Sequence, residues 1–464
     1  MAQDMFEKMV GVPADILDKT VDSSKQVMNQ LTSDEQVLSF GNKSISKAKA
    51  YWKNLGPGLT TGASDDDPSG IATYSQTGAQ YGFQLLWLSL FTFPLMSVVQ
   101  EMCARIGLVT GRGLAANIRA FYPKWVLYFC TALLFGANSL NIGADLGAMA
   151  KASQLMFPKL DFGSLVLGFA LFSLALQIFT TYDKYARYLK WLALILLSYI
   201  FSALSVNLNW GDMIKYTVIP TITFSKDQIF LICAILGTTI SPYLFFWQTS
   251  QEVEEQILDG KTTLKLRQEE TTPKEIRNMR MDVWSGMFLS NLVMFFIIAA
   301  CAATLYSKGI TNITSASDAA AALKPIAGNG AYLLFSLGII GTGMLAIPVL
   351  AGSTSYALSE CFGWKYGLYR KLREANAFYG VIIISTLIGV AMNFVGIDPI
   401  KALIYSAVAN AIVAPPILVS IVLLSNNKKV MGEHVTHPVA NILGWLVVIA
   451  MALAGLAAIF SNWI

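Results

Sequence analysis

Of the 464 residues, 55% are hydrophobic and only 13% charged, with a formal net charge of +4. A soluble protein of this length carries roughly 25% charged residues, so that class is excluded in favour of an all-α polytopic membrane protein whose surroundings are the lipid bilayer. The basic residues are spread over short segments rather than gathered on one face, which excludes phosphate tracking and with it a nucleic-acid partner.

In chain order, residues 1–48 read as a cytoplasmic amino-terminal segment. It is polar and charged, with scattered apolar residues (Met5, Phe6, Met9, Val10, Ile16, Leu17) and no apolar run of a secretory signal. Weak amphipathic helices on the membrane surface and a solvated tail both fit it. Residues 49–464 read as a transmembrane domain. Windows of about 20 residues predict eleven spans, at 55–81, 83–108, 123–154, 162–181, 186–206, 227–250, 282–306, 330–357, 376–396, 399–425 and 438–462. The first repeat occupies 49–206, the second 227–425, and 438–462 is an extra helix. The 251–281 stretch mixes Glu252, Glu254 and Glu255 with Lys261, Lys265 and Arg267, and is expected to be a solvated helical linker.

Basic residues orient the spans. One side carries Arg105 to Lys124, Lys184 to Lys190, Lys261 to Arg280, Lys365 to Arg373, and Lys428 with Lys429; the other carries only Lys159, Lys215, Lys226, Lys308, Lys324 and Lys401. The amino terminus is therefore expected in the cytoplasm and the carboxyl terminus outside, in a multi-pass protein of the cell membrane, expected to be a monomer.

Span one holds the most informative run, Asp65-Asp66-Asp67-Pro68. An ionised carboxylate near the bilayer midplane costs at least about 2.5–3.5 kcal/mol, so three together must face water or a cation. Pro68 removes a backbone donor, and Gly62 and Gly70 loosen the helix on either side. Span six repeats the device in Gly237-Thr238-Thr239-Ile240-Ser241-Pro242-Tyr243. Spans one and six are five apart, and an odd offset gives two halves of opposite topology, as in a five-plus-five inverted repeat with its site at the midplane. Unwinding at the two prolines frees carbonyls, near Ser64 and Thr238, that hard cations accept as ligands. Ordinary proline kinks are the competing account.

Further polar residues share helical faces. Asn138, Asn141 and Asp145 in span three stand at i, i+3 and i+7. Asp145 is a candidate ion-pathway or proton-relay group, or else one partner of an interhelical hydrogen bond. Ser406 and Asn410 in span ten read either as pathway or as packing glue. The five cysteines (Cys103, Cys130, Cys233, Cys301, Cys361) sit in or beside apolar runs without a CxxC pair and read as small buried hydrophobes. His434 and His437 fall in a polar loop and read as solvated. HExxH, GxSxG and Walker motifs are absent, so no enzyme is expected, and no cofactor.

Several of these runs resemble one family. Gly56-Pro57-Gly58 with Asp67-Pro68-Ser69-Gly70 resembles the first-helix signature of the Nramp divalent-metal transporters, a GPG and, after eight intervening residues, Asp-Pro-Gly-Asn. Ala104 to Arg112 is similar to the family's second-helix exit, Ala144-Asp145-Leu146 to its third-helix acidic motif, and Ser425 to Gly432 to its last cytoplasmic loop. The resemblance covers roughly residues 50–464 and implies the LeuT-type fold, with helices 1 and 6 broken, and alternating access. It also implies Asp67 as principal metal ligand. Against the family pattern, the Asn position is Gly70, the Met-Pro-His of helix six is Ser241-Pro242-Tyr243, a second His is Gln248, and a Glu three residues after Asp145 is Ala148.

A thioether favours softer transition metals, whereas oxygen-only surroundings favour Mg²⁺, Ca²⁺ or Mn²⁺. Gly and Ser in place of Asn and Met are expected to enlarge the cavity for a partly hydrated ion, since Mg²⁺ usually keeps several waters. The substitutions resemble those of the Nramp-related magnesium transporters. The expected substrate is thus a hard divalent cation, Mg²⁺ foremost and Mn²⁺ next, held by Asp67 with Asp66, Ser241, Gly70 and the carbonyls near Ser64 and Thr238. Asp65, Asp145, Asn138, Asn141, Tyr243, Gln248 and Asn410 are expected along the pathway. Loss of both histidines and the glutamate disfavours proton coupling. Two alternatives compete: Na⁺-coupled uptake of a small polar solute on the same fold, and a non-transporting sensor that signals through the amino-terminal segment.

Overall fold

The computed structural model describes residues 56–180, 200–201, 204, 208–223, 225–269, 271–313, 319–320 and 331–460. The chain divides into Met1–Leu55 and Gly56–Ile464. The amino-terminal segment, all of span five but residues 200–201 and 204, and the basic residues Lys184, Arg187, Lys190 and Lys324 lie outside the described residues.

Every described element is helical. Span one is two helices, α1 (Pro57–Asp65) and α2 (Pro68–Tyr81). There follow α3 (Trp87–Thr110), α4 (Leu114–Phe121), α5 (Lys124–Met156), α6 (Phe162–Phe179) and the short α7 (Trp210–Val218). Span six is again two helices, α8 (Lys226–Thr239) and α9 (Pro242–Leu258). The remainder are α10 (Leu264–Glu269), α11 (Pro273–Thr304), α12 (Ala331–Phe362), α13 (Asn376–Met392), α14 (Pro399–Asn426), α15 (Lys428–Met431) and α16 (Pro438–Phe460). Eight segments are long and apolar enough to cross a membrane. The broken pair α1–α2 and the shorter apolar α13 bring the crossings among the described residues to ten.

Burial separates lipid-facing from central helices. α6 turns Leu171 (66% exposed) and Phe179 (83% exposed) outward, and α16 exposes Ile442, Ile449 and Leu453. On α9 and α12 even polar residues are buried, among them Thr249, Gln251, Ser353 and Ser359. Helices in lipid gain nothing from burying apolar surface against each other, so close backbone approach decides their packing. α1 and α11 show it: a Cβ added at Gly58 would meet the Val283 backbone nitrogen at 2.5 Å, and one at Gly62 would fall inside the Gly286 carbonyl. Gly111 ends α3 at φ 60°, a left-handed conformation open to glycine at no steric cost, and its N–H returns to Gly107 O.

Two sequence expectations are corrected here. α9 runs on to Leu258 and α11 begins at Pro273, so much of 251–281 is helix continuous with the spans. Nor is its first part solvated: Glu252 and Glu254 are 6% and 2% exposed. The Glu254 carboxylate is buried because its hydrogen bonds are met inside the protein, by Tyr356 Oη at 2.5 Å and the backbone nitrogens of Leu368 at 2.9 Å and Tyr369 at 3.3 Å. Glu252 accepts from Gln248 Nε2 at 2.8 Å.

α11 starts with a capping box, in which Thr272 Oγ1 accepts from Glu275 N and the Glu275 carboxylate accepts from Thr272 N. Thr272→Ala is expected to cost about 1 kcal/mol, read as a small drop in the apparent melting temperature of purified protein. A drop as large as that of a core truncation would mean that Thr272 does more than cap.

Candidate functional site

The two helix breaks have the same local structure. α1 ends at Asp65; Asp66 follows at φ −84°, ψ 52°, Asp67 is extended at φ −68°, ψ 173°, and Pro68 opens α2. α8 ends at Thr239; Ile240 follows at φ −116°, ψ 58°, Ser241 is extended at φ −81°, ψ 128°, and Pro242 opens α9. Proline disfavours helical backbone in the residue before it and has no N–H to miss at a first helical position. Each break is thus two non-helical residues closed by a proline, and Asp67 occupies in the first repeat the place that Ser241 occupies in the second.

The breaks lie against each other. Tyr243 Oη donates to Ser64 O at 2.7 Å, and Ser69 Oγ stands 3.5 Å from Thr238 Oγ1. Asp67 Oδ1 caps α2 by accepting from Gly70 N at 2.8 Å and Ser69 Oγ at 2.5 Å. Asp67 Oδ2 receives only a long 3.4 Å contact from Asn141 Nδ2 on α5. Asp65 Oδ2 accepts from Ser290 Oγ of α11 at 2.8 Å. Both carboxylate oxygens of Asp66, and both of Asp145, have no hydrogen-bond partner within the protein. All four aspartates are at most 1% exposed, and among the described residues none forms an ion pair.

The structure brings together Ser64, Asp67, Thr238, Tyr243 and Asn141, with Asp145 an electrostatic neighbour of Asp67. Other candidates go elsewhere. Asn138 reaches α12, donating to Leu350 O, Ser353 Oγ and Thr354 Oγ1 at 2.8–3.1 Å, which is packing glue. Gln248 turns to Glu252, and the Ser241 hydroxyl donates to Gly237 O at 2.9 Å or Thr238 O at 2.7 Å. Asn410 is buried with neither amide atom partnered. Gly70 contributes its N–H to Asp67. The space expected from its missing side chain is filled: a Cβ there would stand 3.2 Å from Thr238 Oγ1, 3.3 Å from Asp65 O and 3.4 Å from the Tyr74 ring. Among the described residues no three His, Cys, Asp or Glu side chains converge as a metal-binding group. The polar groups gathered at the breaks are the Asp67 carboxylate, the Ser64 carbonyl and the hydroxyls of Ser69, Thr238 and Tyr243.

Three neighbours escaped the sequence reading. Ser69 and Ser290 each hold one aspartate, and mid-span serines carry little signal because they are common. Met149, one turn beyond Asp145, brings its thioether to Gly343 of α12, and Gly343 itself packs on Pro68. A soft donor therefore stands close to the first break although position 241 has lost one.

The broken first and sixth spans, abutting in mid-bundle, define a polytopic membrane protein of the LeuT type, built on an inverted repeat. The family model for natural resistance-associated macrophage protein-like sequences matches residues 58–461, and the chain belongs to that family. It is 24% identical over 408 residues to the divalent metal cation transporter MntH of Caldanaerobacter subterraneus, covering 86% of this chain and 90% of the relative. It is 25% identical over 399 residues to MntH of Klebsiella pneumoniae, with 85% and 90% covered. Among solved structures, the fold matches a manganese transporter of Eremococcus coleocola with a TM-score of 0.70 at 19% identity, covering 90% of this chain and 88% of that one. It also matches Mhp1, a nucleobase-cation-symport-1 family transporter, with a TM-score of 0.54 at 12% identity over 88% and 91% of the two chains.

Proposed function

We propose that this protein carries a hard divalent cation across the membrane by alternating access, Mg²⁺ foremost and Mn²⁺ next, without coupling to protons. The observation that carries the reading is the division of labour within Asp67. One oxygen caps α2 and the other holds only a long contact, beside the unpartnered carboxylates of Asp66 and Asp145. The carboxyl ends of α1 and α8 add the negative ends of two helix dipoles. Oxygen donors of this kind suit Mg²⁺ and Mn²⁺, and the Met149 thioether near Pro68 keeps Mn²⁺ as the second substrate. The relatives named as divalent metal cation transporters support the substrate class. The distribution of the basic residues supports an amino terminus in the cytoplasm and a carboxyl terminus outside.

The test is uptake of Mg²⁺, Mn²⁺ and Ca²⁺ into proteoliposomes carrying an internal pH-sensitive dye. Uptake of Mg²⁺ or Mn²⁺ driven by membrane potential, with no acidification, is the expected result; absence of flux for every divalent ion in folded, inserted protein overturns it. Asp145→Asn is expected to keep the uptake within a few-fold and leave the dye silent, as a pathway group does and a proton relay does not. Acidification in the wild type that disappears in Asp145→Asn would establish coupling instead.

A further inference from the structure

Below the second break, α9 presents Tyr243, Trp247, Ser250 and Glu254 at i, i+4, i+7 and i+11, a single stripe along the helix. The stripe starts at the site, where Tyr243 Oη meets Ser64 O. It ends in a cavity of about 220 Å³ between α9, the end of α12 and the chain that follows. Buried Ser250, Glu254, Tyr356 and Glu360 line its inner part, and Arg267 and the exposed Lys365 stand at its mouth. The volume is many times what one water needs. Ser250 and Glu360 stand within reach of each other there, and Glu360 Oε2 accepts from Ala116 N at 3.0 Å.

Between site and cavity on this stripe sits one large side chain. Trp247 is 1% exposed. Its ring lies on Gly352 of α12, so closely that a Cβ there would come within 2.7 Å of Cζ3, and it meets Tyr356 edge-on with centroids 6.4 Å apart. Buried tryptophans usually find a partner for the indole N–H; this Nε1 has none. The indole is thus held by shape alone, on a glycine seat, beside the polar cavity.

The geometry points to the α9–α12 seam as the cytoplasmic leg of the ion's route, with Trp247 as its plug: seated on Gly352 when the leg is closed, turned into the cavity when it is open. The assignment rests on the transport reading and on the orientation proposed with it. A cation passing the plug meets the acidic inner cavity first and the basic mouth last, an order that favours release over retention.

Cysteine accessibility tests this without any substrate. The five native cysteines are buried, and the parent protein supplies the background. Ser250→Cys reports the cavity. Val349→Cys, buried and sharing the α12 face of Gly352 and Tyr356, reports the seam on the site side of the plug. A membrane-impermeant maleimide applied from the cytoplasmic side is expected to label Ser250→Cys readily whatever residue stands at 247. It is expected to label Val349→Cys slowly with Trp247 present, and about tenfold faster or more with Trp247→Ala. Trp247→Phe is expected to fall between. Gly352→Ala, which forces the ring off its seat, acts in the same direction and carries the test if Trp247→Ala does not fold. Val349→Cys labelling unmoved by either variant, or an unreactive Ser250→Cys, overturns the plug. Unmoved labelling with intact divalent uptake removes the plug alone, and the expected labelling without uptake of any divalent ion removes the transport reading alone.

Discussion

Asp67→Ala is expected to abolish uptake of Mg²⁺ and Mn²⁺, by on the order of a hundred-fold or more, in protein that still folds and inserts. Even outer-sphere partners of a metal are worth about 10–100-fold, and the residue supplying the principal carboxylate is worth at least the upper end. Its structural share is smaller: one oxygen caps α2 through Gly70 N and Ser69 Oγ, and losing a cap costs about 1 kcal/mol. The two contributions separate in Asp67→Ser. Serine is a good cap but a neutral, weak cation ligand, so stability is expected to return toward wild type while uptake stays lost. Wild-type uptake in Asp67→Ser, measured in the same proteoliposomes, would remove the carboxylate from the ion's shell.

The second large effect is expected at Asp282, far from the site. Its carboxylate takes Gly58 N at 2.6 Å, Gly56 N at 2.8 Å and Leu59 N at 3.1 Å, three donors of the first turn of α1. α1 has no cap of its own, since Gly56 offers no side chain. An acid from α11 therefore serves as the cap, aided by the positive end of the α1 dipole. Alanine at 282 leaves these donors unpaired at about 1–3 kcal/mol for each one buried, a total on the order of a core truncation. Asp282→Ala is accordingly expected to lower the temperature of half-aggregation in detergent by several degrees, and Asp282→Asn by less, because the amide keeps one accepting oxygen. A wild-type profile for Asp282→Ala would mean that water replaces the cap and that α1 needs no anchor from α11.

Both breaks were legible in the sequence, because proline after small and acidic residues has few other meanings inside an apolar run. Ten of the eleven expected spans correspond to described helices, and most of the fifth falls outside the described residues. Within the site, Asp67 and Asn141 share a contact and Tyr243 reaches Ser64, whereas the stripe that links Asn138 to Asn141 on α5 also faces α12, so periodicity gave Asn138 no distinct role. Hydropathy placed the start of span seven too late and set Glu252 and Glu254 in solvent. It counts a carboxylate as wet and has no means to register Tyr356 and the Leu368 nitrogen waiting to receive it. The space expected at Gly70 failed for a related reason: Thr238 and Tyr74 fill it from other segments. The Asp282 cap joins residues more than 220 positions apart, and no local pattern announces it.

The glycine contact between α1 and α11 has a mechanical consequence. With Gly58, Gly62 and Gly286 in backbone contact, the two helices have no layer of side chains on which to slide or roll. Bending is left to the two non-helical residues Asp66 and Asp67. α1 is then a stiff lever of 9 residues, about 13 Å long at 1.5 Å per residue, so a tilt of about 10° moves its far end by only about 2 Å. Either α11 travels with that lever as one rigid pair, or the stroke at this end of the molecule is short.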